Sequence, residues 1–173
     1  MEAMIQLLTI LIPAGLVLYG MYLVVRSFLQ KEFERNLLEI KNKSIEVALP
    51  IRLQAYERMT LFLERISPNN LVLRLNRQGL SAQEFRQILE QEVREELSHN
   101  YSQQVYMSDT CWQNIKNATD QVQSLIQEGF SSLPAGASGV ELGKAILQKA
   151  IEQNANASQA AIIELKKEVR GIY

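Results

Sequence analysis

The sequence predicts an all-α protein: an N-terminal transmembrane helix, then a kinked amphipathic helix with coiled-coil character, then a small helical bundle. Three observations point there. Residues Ala3 to Val25 form an unbroken stretch without a charged side chain, and Arg26 follows at once. Beyond it, apolar residues recur at spacings of three and four, the period of a helix face. No strand-like segment finds a second one to pair with.

The apolar stretch has 23 residues. As a helix it is roughly 34 Å long, enough to cross a hydrocarbon core of about 30 Å with some tilt. Pro13 and Gly15 lie near its middle, while Tyr19 and Tyr22 lie toward the far end. Proline and glycine are commoner in membrane helices than in soluble ones, and tyrosines favour the interface. A cleaved signal would carry a basic leader, a shorter apolar core and a small-residue cleavage site. Here only Glu2 precedes the run and no A-x-A pattern follows Arg26, so a retained anchor is expected. Gln6 and Thr9 offer polar groups for docking to another helix. The flanking charge is one-sided: Arg26, Lys31, Arg35, Lys41 and Lys43 all follow the span. Basic residues resist translocation, which places the N-terminus outside and the rest on the cytoplasmic side of an inner (cytoplasmic) membrane, in a single pass. Cys111 is the lone cysteine, so no intrachain disulfide forms, as suits a reducing compartment. The glycosylation-type triplets at Asn42, Asn100, Asn117 and Asn156 are then chance occurrences.

Three segments follow from this reading: an anchor over 1–25, a juxtamembrane amphipathic helix over 26–66 with a break at Pro50, and a helical domain over 67–173. Phe33, Leu37, Ile40, Ser44, Val47 and Ile51 are spaced alternately four and three apart, the stripe of a coiled-coil seam with one polar position at Ser44. Under three heptads long, it also suits one face of an intramolecular bundle. Pro50 removes a backbone donor and marks a kink or a helix start. The next helix runs through Ile66 and stops at Ser67-Pro68-Asn69-Asn70. Within it, Tyr56-Glu57-Arg58-Met59 and Leu63-Glu64-Arg65-Ile66 repeat seven residues apart, presenting the same face twice. Residues 71–79 read as a short helix or an extended connector. Ser81 and Glu84 form a capping box opening a helix to about Gln104, with Phe85, Ile88, Leu89, Val93 and Leu97 turned inward. Another helix starts near Ser108 or Asp109 and ends at Gly129. A second capping box, Ser138 and Glu141, opens a helix that bends near Asn154–Ser158 before the closing helix.

No motif carries catalysis. His99 is the only histidine and belongs to a surface near a helix end, and Cys111 reads as a buried structural thiol without a base. Neither H-x-x-x-H nor C-x-x-C occurs, nor a glycine-rich phosphate loop, so neither a metal nor a cofactor is expected. Glu95-Glu96 belongs to a solvated acidic face. The chain has 18 basic and 19 acidic residues, a balance that argues against nucleic acid as a partner. The arginines are unevenly placed: Arg52, Arg58, Arg65, Arg74, Arg77, Arg86 and Arg94 fall in a stretch from Ser44 to Ile115 that lacks lysine. Arginine's planar fork suits carboxylates. Internal pairs with Glu57, Glu64, Glu84 and Glu90, or a surface for a protein partner, both follow from it.

The block IRLQAYERMTLFLERISP after an N-terminal span resembles an uncharacterised family of small single-pass helical membrane proteins of Gram-negative bacteria. The resemblance covers most of the chain and implies an anchor and a helical tail but no activity. The layout is also similar to the peripheral-stalk b subunit of rotary ATP synthases, from which Pro50, Pro68 and Pro134 depart. The expected function is a non-enzymatic, membrane-anchored accessory or scaffold subunit that presents a cytoplasmic helical module to a protein partner or larger membrane complex, with no small-molecule substrate. Tyr56, Glu57, Arg58, Glu64 and Arg65 are the candidate partner-binding residues. The alternative is a self-associating stalk, a homo-oligomer whose seam is Phe33, Leu37, Ile40 and Val47.

Overall fold

The computed structural model describes residues 1–171, apart from the side chains of residues 3–8, 10, 41, 42 and 44. The Gln6 docking group and the Ser44 seam position therefore lie outside the described side chains. All assigned elements among the described residues are helical: α1 (Glu2–Ile66), α2 (Pro68–Leu75), α3 (Ala82–Asn100), a 3-10 turn (Tyr101–Tyr106), α4 (Asp109–Ser131), α5 (Gly139–Glu152) and α6 (Ala157–Arg170).

The chain divides into two units, Met1–Leu49 and Pro50–Tyr173. The boundary falls where proline was expected to interrupt the chain, yet helical backbone continues through Pro50. Proline's fixed φ is compatible with a helix, and the cost is one lost donor. Residues 51–66 continue α1 and lie in the second unit. The reason is burial: Ala55, Tyr56, Met59, Phe62, Leu63 and Ile66 recur at helical spacing and are all buried.

The first unit consists of helical backbone whose large apolar residues face solvent from Leu11 to Val47. Among the described residues, one helix is long and apolar enough to cross a membrane. The seam residues Phe33, Leu37, Ile40 and Val47 are 65, 51, 63 and 70 % exposed.

In the second unit α4 is the central helix, packed against α3, α5 and α6. Ile115, Ala118, Val122, Leu125 and Ile126 supply its buried stripe. The buried Thr119 hydroxyl is satisfied by donating to the Ile115 carbonyl at 3.0 Å. Two capping boxes form where the sequence places them, at Ser81 with Glu84 and Ser138 with Glu141. They lie side by side: Ala82 N–H donates to the Ala137 carbonyl at 2.9 Å, and Gly139 N–H to the Leu80 carbonyl at 2.8 Å. This pairing explains Gly139, where a Cβ would approach the Leu80 carbonyl at 3.2 Å. Each glutamate is held below the usual carboxylate range by hydrogen bonds from the backbone and hydroxyl of its own cap serine.

Several boundaries differ from expectation. Residues 71–79 split into the end of α2 and a connector ending at Gly79, whose φ is +86°. The helix from Ser81 ends at Asn100 rather than Gln104, and the chain tightens into a 3-10 turn. The Tyr101 ring stands edge-on to Trp112 at 5.3 Å between centroids, holding that turn to α4. The link between α5 and α6 is a break, not a bend, with Asn154 at φ +47°. Gly129 does not end α4; it sits inside the helix at a close approach, where a Cβ would meet Ile146 Cγ1 at 2.8 Å and Ile146 N at 3.3 Å. Here contact between helices overrides the glycine's reading as a stop signal.

That approach predicts a net loss for Gly129→Ala. Helix propensity favours alanine by up to about 1 kcal/mol. Overpacking against backbone costs roughly 1–3 kcal/mol and prevails, so thermal unfolding followed by circular dichroism should shift down by a few degrees.

Candidate functional site

Two places in the second unit bring polar side chains together. The first is a latch centred on Glu168 of α6. Tyr56 Oη of α1 donates to Glu168 Oε1 at 2.7 Å, and the Ser108 N–H donates to the same oxygen at 2.8 Å. Ser108 Oγ donates to Glu168 Oε2 at 2.6 Å and accepts from Cys111 N–H at 3.2 Å, so one serine caps α4 and binds α6. Arg52 donates to Tyr56 Oη at 3.1 Å and to the Tyr106 carbonyl at 3.2 Å. Its guanidinium lies 5.9 Å from the centroid of the Tyr56 ring.

The electrostatics follow from this geometry. Burial pulls the Glu168 carboxyl up, but the hydrogen bonds from Ser108, Tyr56 and Cys111 outweigh it and hold the group below its ordinary value. Burial, then the Glu168 carboxylate, pushes the Tyr56 phenol up. Burial together with the negative charges of Glu168 and Glu164 pushes the Cys111 thiol up to about 12. A thiol so raised is neutral at physiological pH, and a nucleophile needs the thiolate. The latch fastens α6 to α1 and to the start of α4 through both oxygens of the Glu168 carboxylate.

The second place is a shallow groove between the outer face of α1 and α2, lined by Leu61, Glu64, Arg65, Asn70, Leu73 and Arg74. Leu61 and Leu73 are 52 and 68 % exposed. Beneath them Arg65 pairs with Glu96 at 2.5 Å and Glu92 at 3.6 Å, and Arg74 pairs with Glu92 at 2.6 Å. The charged rim thus rests on α3. Glu57 and Arg58 lie exposed on the same helix, toward its start in this unit.

The expected partner-binding set is divided by the structure. Glu57, Arg58, Glu64 and Arg65 are exposed. Tyr56 is 3 % exposed and hydrogen-bonded inside the latch, which removes it from any surface. It lies on the buried stripe with Met59, so the repeated four-residue block straddles two faces. Leu61, Leu73, Asn70 and Arg74 were missed. Leu61 had a signal, since it falls off the buried spacing of 55, 59, 62 and 66; Leu73 had none, because the path of α2 is not legible before the fold is known. Of the seven arginines, Arg65, Arg74, Arg86 and Arg94 form ion pairs, and their carboxylates match the expected ones only at Glu90. Glu90 is used, by Arg86 and Arg94, while Glu84 serves its cap and the main acceptors are Glu92 and Glu96. Arg86 also lies over the Phe130 ring at 4.4 Å. His99 is exposed and Cys111 is buried, as read. Among the described residues, no three His, Cys, Asp or Glu side chains gather as a metal would need.

Among the described residues, these features define an all-helical protein with one long apolar helix and a bundle fastened by the latch and the paired caps. The chain belongs to a family of unknown function, DUF7935, whose profile matches residues 2–172. No curated protein and no solved structure matches it.

The latch predicts acid sensitivity. Glu168 has a lower affinity for its proton folded than unfolded, so its contribution is complete above the unfolded carboxylate value of about 4.3 and is lost as pH falls through the lower folded value. Glu168→Gln should lower thermal stability at pH 7 and reduce the slope of stability against pH in that acid window. Ser108→Ala should cost about 1–2 kcal/mol, since a cap and a carboxylate donor are lost together. Thermal melts across pH check both.

Proposed function

We propose that this chain is a non-enzymatic, membrane-anchored scaffold subunit that presents its helical bundle to a protein partner on the cytoplasmic side of the membrane. The observation that carries the reading is the groove: two exposed leucines, Leu61 and Leu73, rimmed by Glu64, Arg65 and Arg74. Apolar contact area surrounded by arginine and glutamate is the make-up of a protein-binding surface, with a central apolar anchor and a polar rim. Glu57 and Arg58 extend the rim along α1.

The anchor supports the rest. The uncharged stretch Ala3–Val25 precedes five basic residues, and its described large apolar side chains are exposed. Bilayer insertion would cover them, and the one-sided positive charge would hold the bundle in the cytoplasm. Tethering also raises the bundle's effective concentration near membrane partners without high intrinsic affinity.

Affinity purification from detergent-solubilised membranes, read by mass spectrometry, tests this. Leu61→Asp with Leu73→Asp should lower partner recovery at least about tenfold, the equivalent of 1.4 kcal/mol, while the thermal melt of the bundle stays unchanged. Undiminished recovery would remove the groove from the reading. Carbonate-washed membranes should retain the chain, and protease should reach the bundle only from the cytoplasmic face.

A further inference from the structure

α6 is joined to the rest of the second unit differently from α2–α5. Each of those four helices packs against at least two others of the bundle. Their contacts do not pass through α6. The paired caps join α3 to α5, Gly129 of α4 meets Ile146 of α5, and Gly143 of α5 lies against Val72 of α2 and Phe85 of α3. α6 packs against α4 and meets α1 through the Tyr56–Glu168 hydrogen bond.

α6 runs antiparallel along α4 and is tied to it near both ends. At its start, Ala157 N–H donates to Gln121 Oε1 at 3.0 Å. In its last turn, Glu168 reaches back to Ser108 at the start of α4. Between these ties lie the buried apolar residues Ala161, Ile162 and Leu165, of which two are large. The apolar hold is modest, so the tie at Glu168 matters to whether α6 stays down.

The connector before α6 is pinned at its near end. Gln153 Nε2 donates to Glu128 Oε2 of α4 at 2.6 Å. Asn154 follows at φ +47°, a region asparagine enters more readily than most residues. The joint about which α6 swings is therefore 154–156, and it leaves α5 in place. Elements with few outside contacts open at lower free energy than the whole domain.

We propose that α6 is a strap that undocks from α4 as one body while α2–α5 and the last turns of α1 stay folded, with Glu168 as its catch, and that its departure uncovers the Cys111 thiol.

In the closed form Cys111 is 2 % exposed and its thiol donates to Glu168, so the state of the strap is read at that sulfur. Full-length chain purified in detergent should be labelled at Cys111 with iodoacetamide while amide hydrogen exchange is followed in parallel by mass spectrometry. Interior amides of α6 should exchange at least about tenfold faster than those of α3, α4 and α5, and Cys111 labelling should follow α6. Exchange in α6 without Cys111 labelling would mean fraying and would overturn the proposal. Labelling should depend on urea less steeply than global unfolding does, because opening exposes less surface; equal slopes would overturn it too.

Two variants separate the strap from whole-bundle unfolding. Glu168→Gln should raise Cys111 labelling and α6 exchange by the same factor, about tenfold or more, and no rise would remove Glu168 as the catch. Leu142→Ala on α5, with Ile146→Val as the milder version if the first does not fold, should speed exchange in α3 and α5 while leaving Cys111 labelling unchanged. Labelling that rises with core exchange would show that Cys111 is reached only by global unfolding, and the strap would fall.

Discussion

The structure of the bundle depends on the last turns of α1 being buried. Tyr56, Met59, Phe62, Leu63 and Ile66 are at most 3 % exposed. Burying each is worth about 1.5–3 kcal/mol. The ion pairs that Arg65 makes with α3 are partly solvated, and such pairs contribute roughly 0–1 kcal/mol. Apolar burial therefore decides where this helix sits, and the ion pairs refine its contact with α3. The same α1 carries the uncharged stretch and the core stripe, so the bundle cannot release its first helix without opening its own core.

The remaining helices are fastened to that core by specific end contacts. The paired caps at Ser81 and Ser138 hold the starts of α3 and α5 together through two backbone hydrogen bonds, with the close fit of Gly139 between them. At the other end of the sequence, Glu168 gathers donors from Tyr56 and Ser108, joining α6 to α1 and to the start of α4. The Glu168 carboxylate is affordable in a half-buried place because hydrogen bonds engage both of its oxygens. Burial, and then this neighbouring carboxylate, push the Cys111 thiol up.

Local signals explain what was legible in advance. Both capping boxes, the Ser108 start of α4 and the helix stop before Pro68 depend on residues within four positions of one another. The inward residues Phe85, Leu89 and Val93 followed from helical spacing in the same way. The latch was not legible. Tyr56 and Glu168 are 112 positions apart, and nothing near either one distinguishes it from other tyrosines and glutamates in the chain. The groove was half legible: its charged rim on α1 stood out as a repeated block, but its second leucine comes from α2. Tyr56 was misplaced for a related reason. A repeat in sequence shows that two residues share a face, and not which face is covered.

The amino-acid order alone determined the all-helical class, the uncharged N-terminal stretch, the heptad spacing from Phe33 to Ile51 and most helix starts, because each arises from periodicity or from contacts within a turn or two. Only the tertiary structure decided that residues 51–66 belong to the bundle, that Gly129 is a contact point and not a terminus, and which carboxylates Arg65 and Arg74 meet. Those outcomes depend on which surfaces exclude water together, a property of neighbours brought close by folding and invisible along the chain.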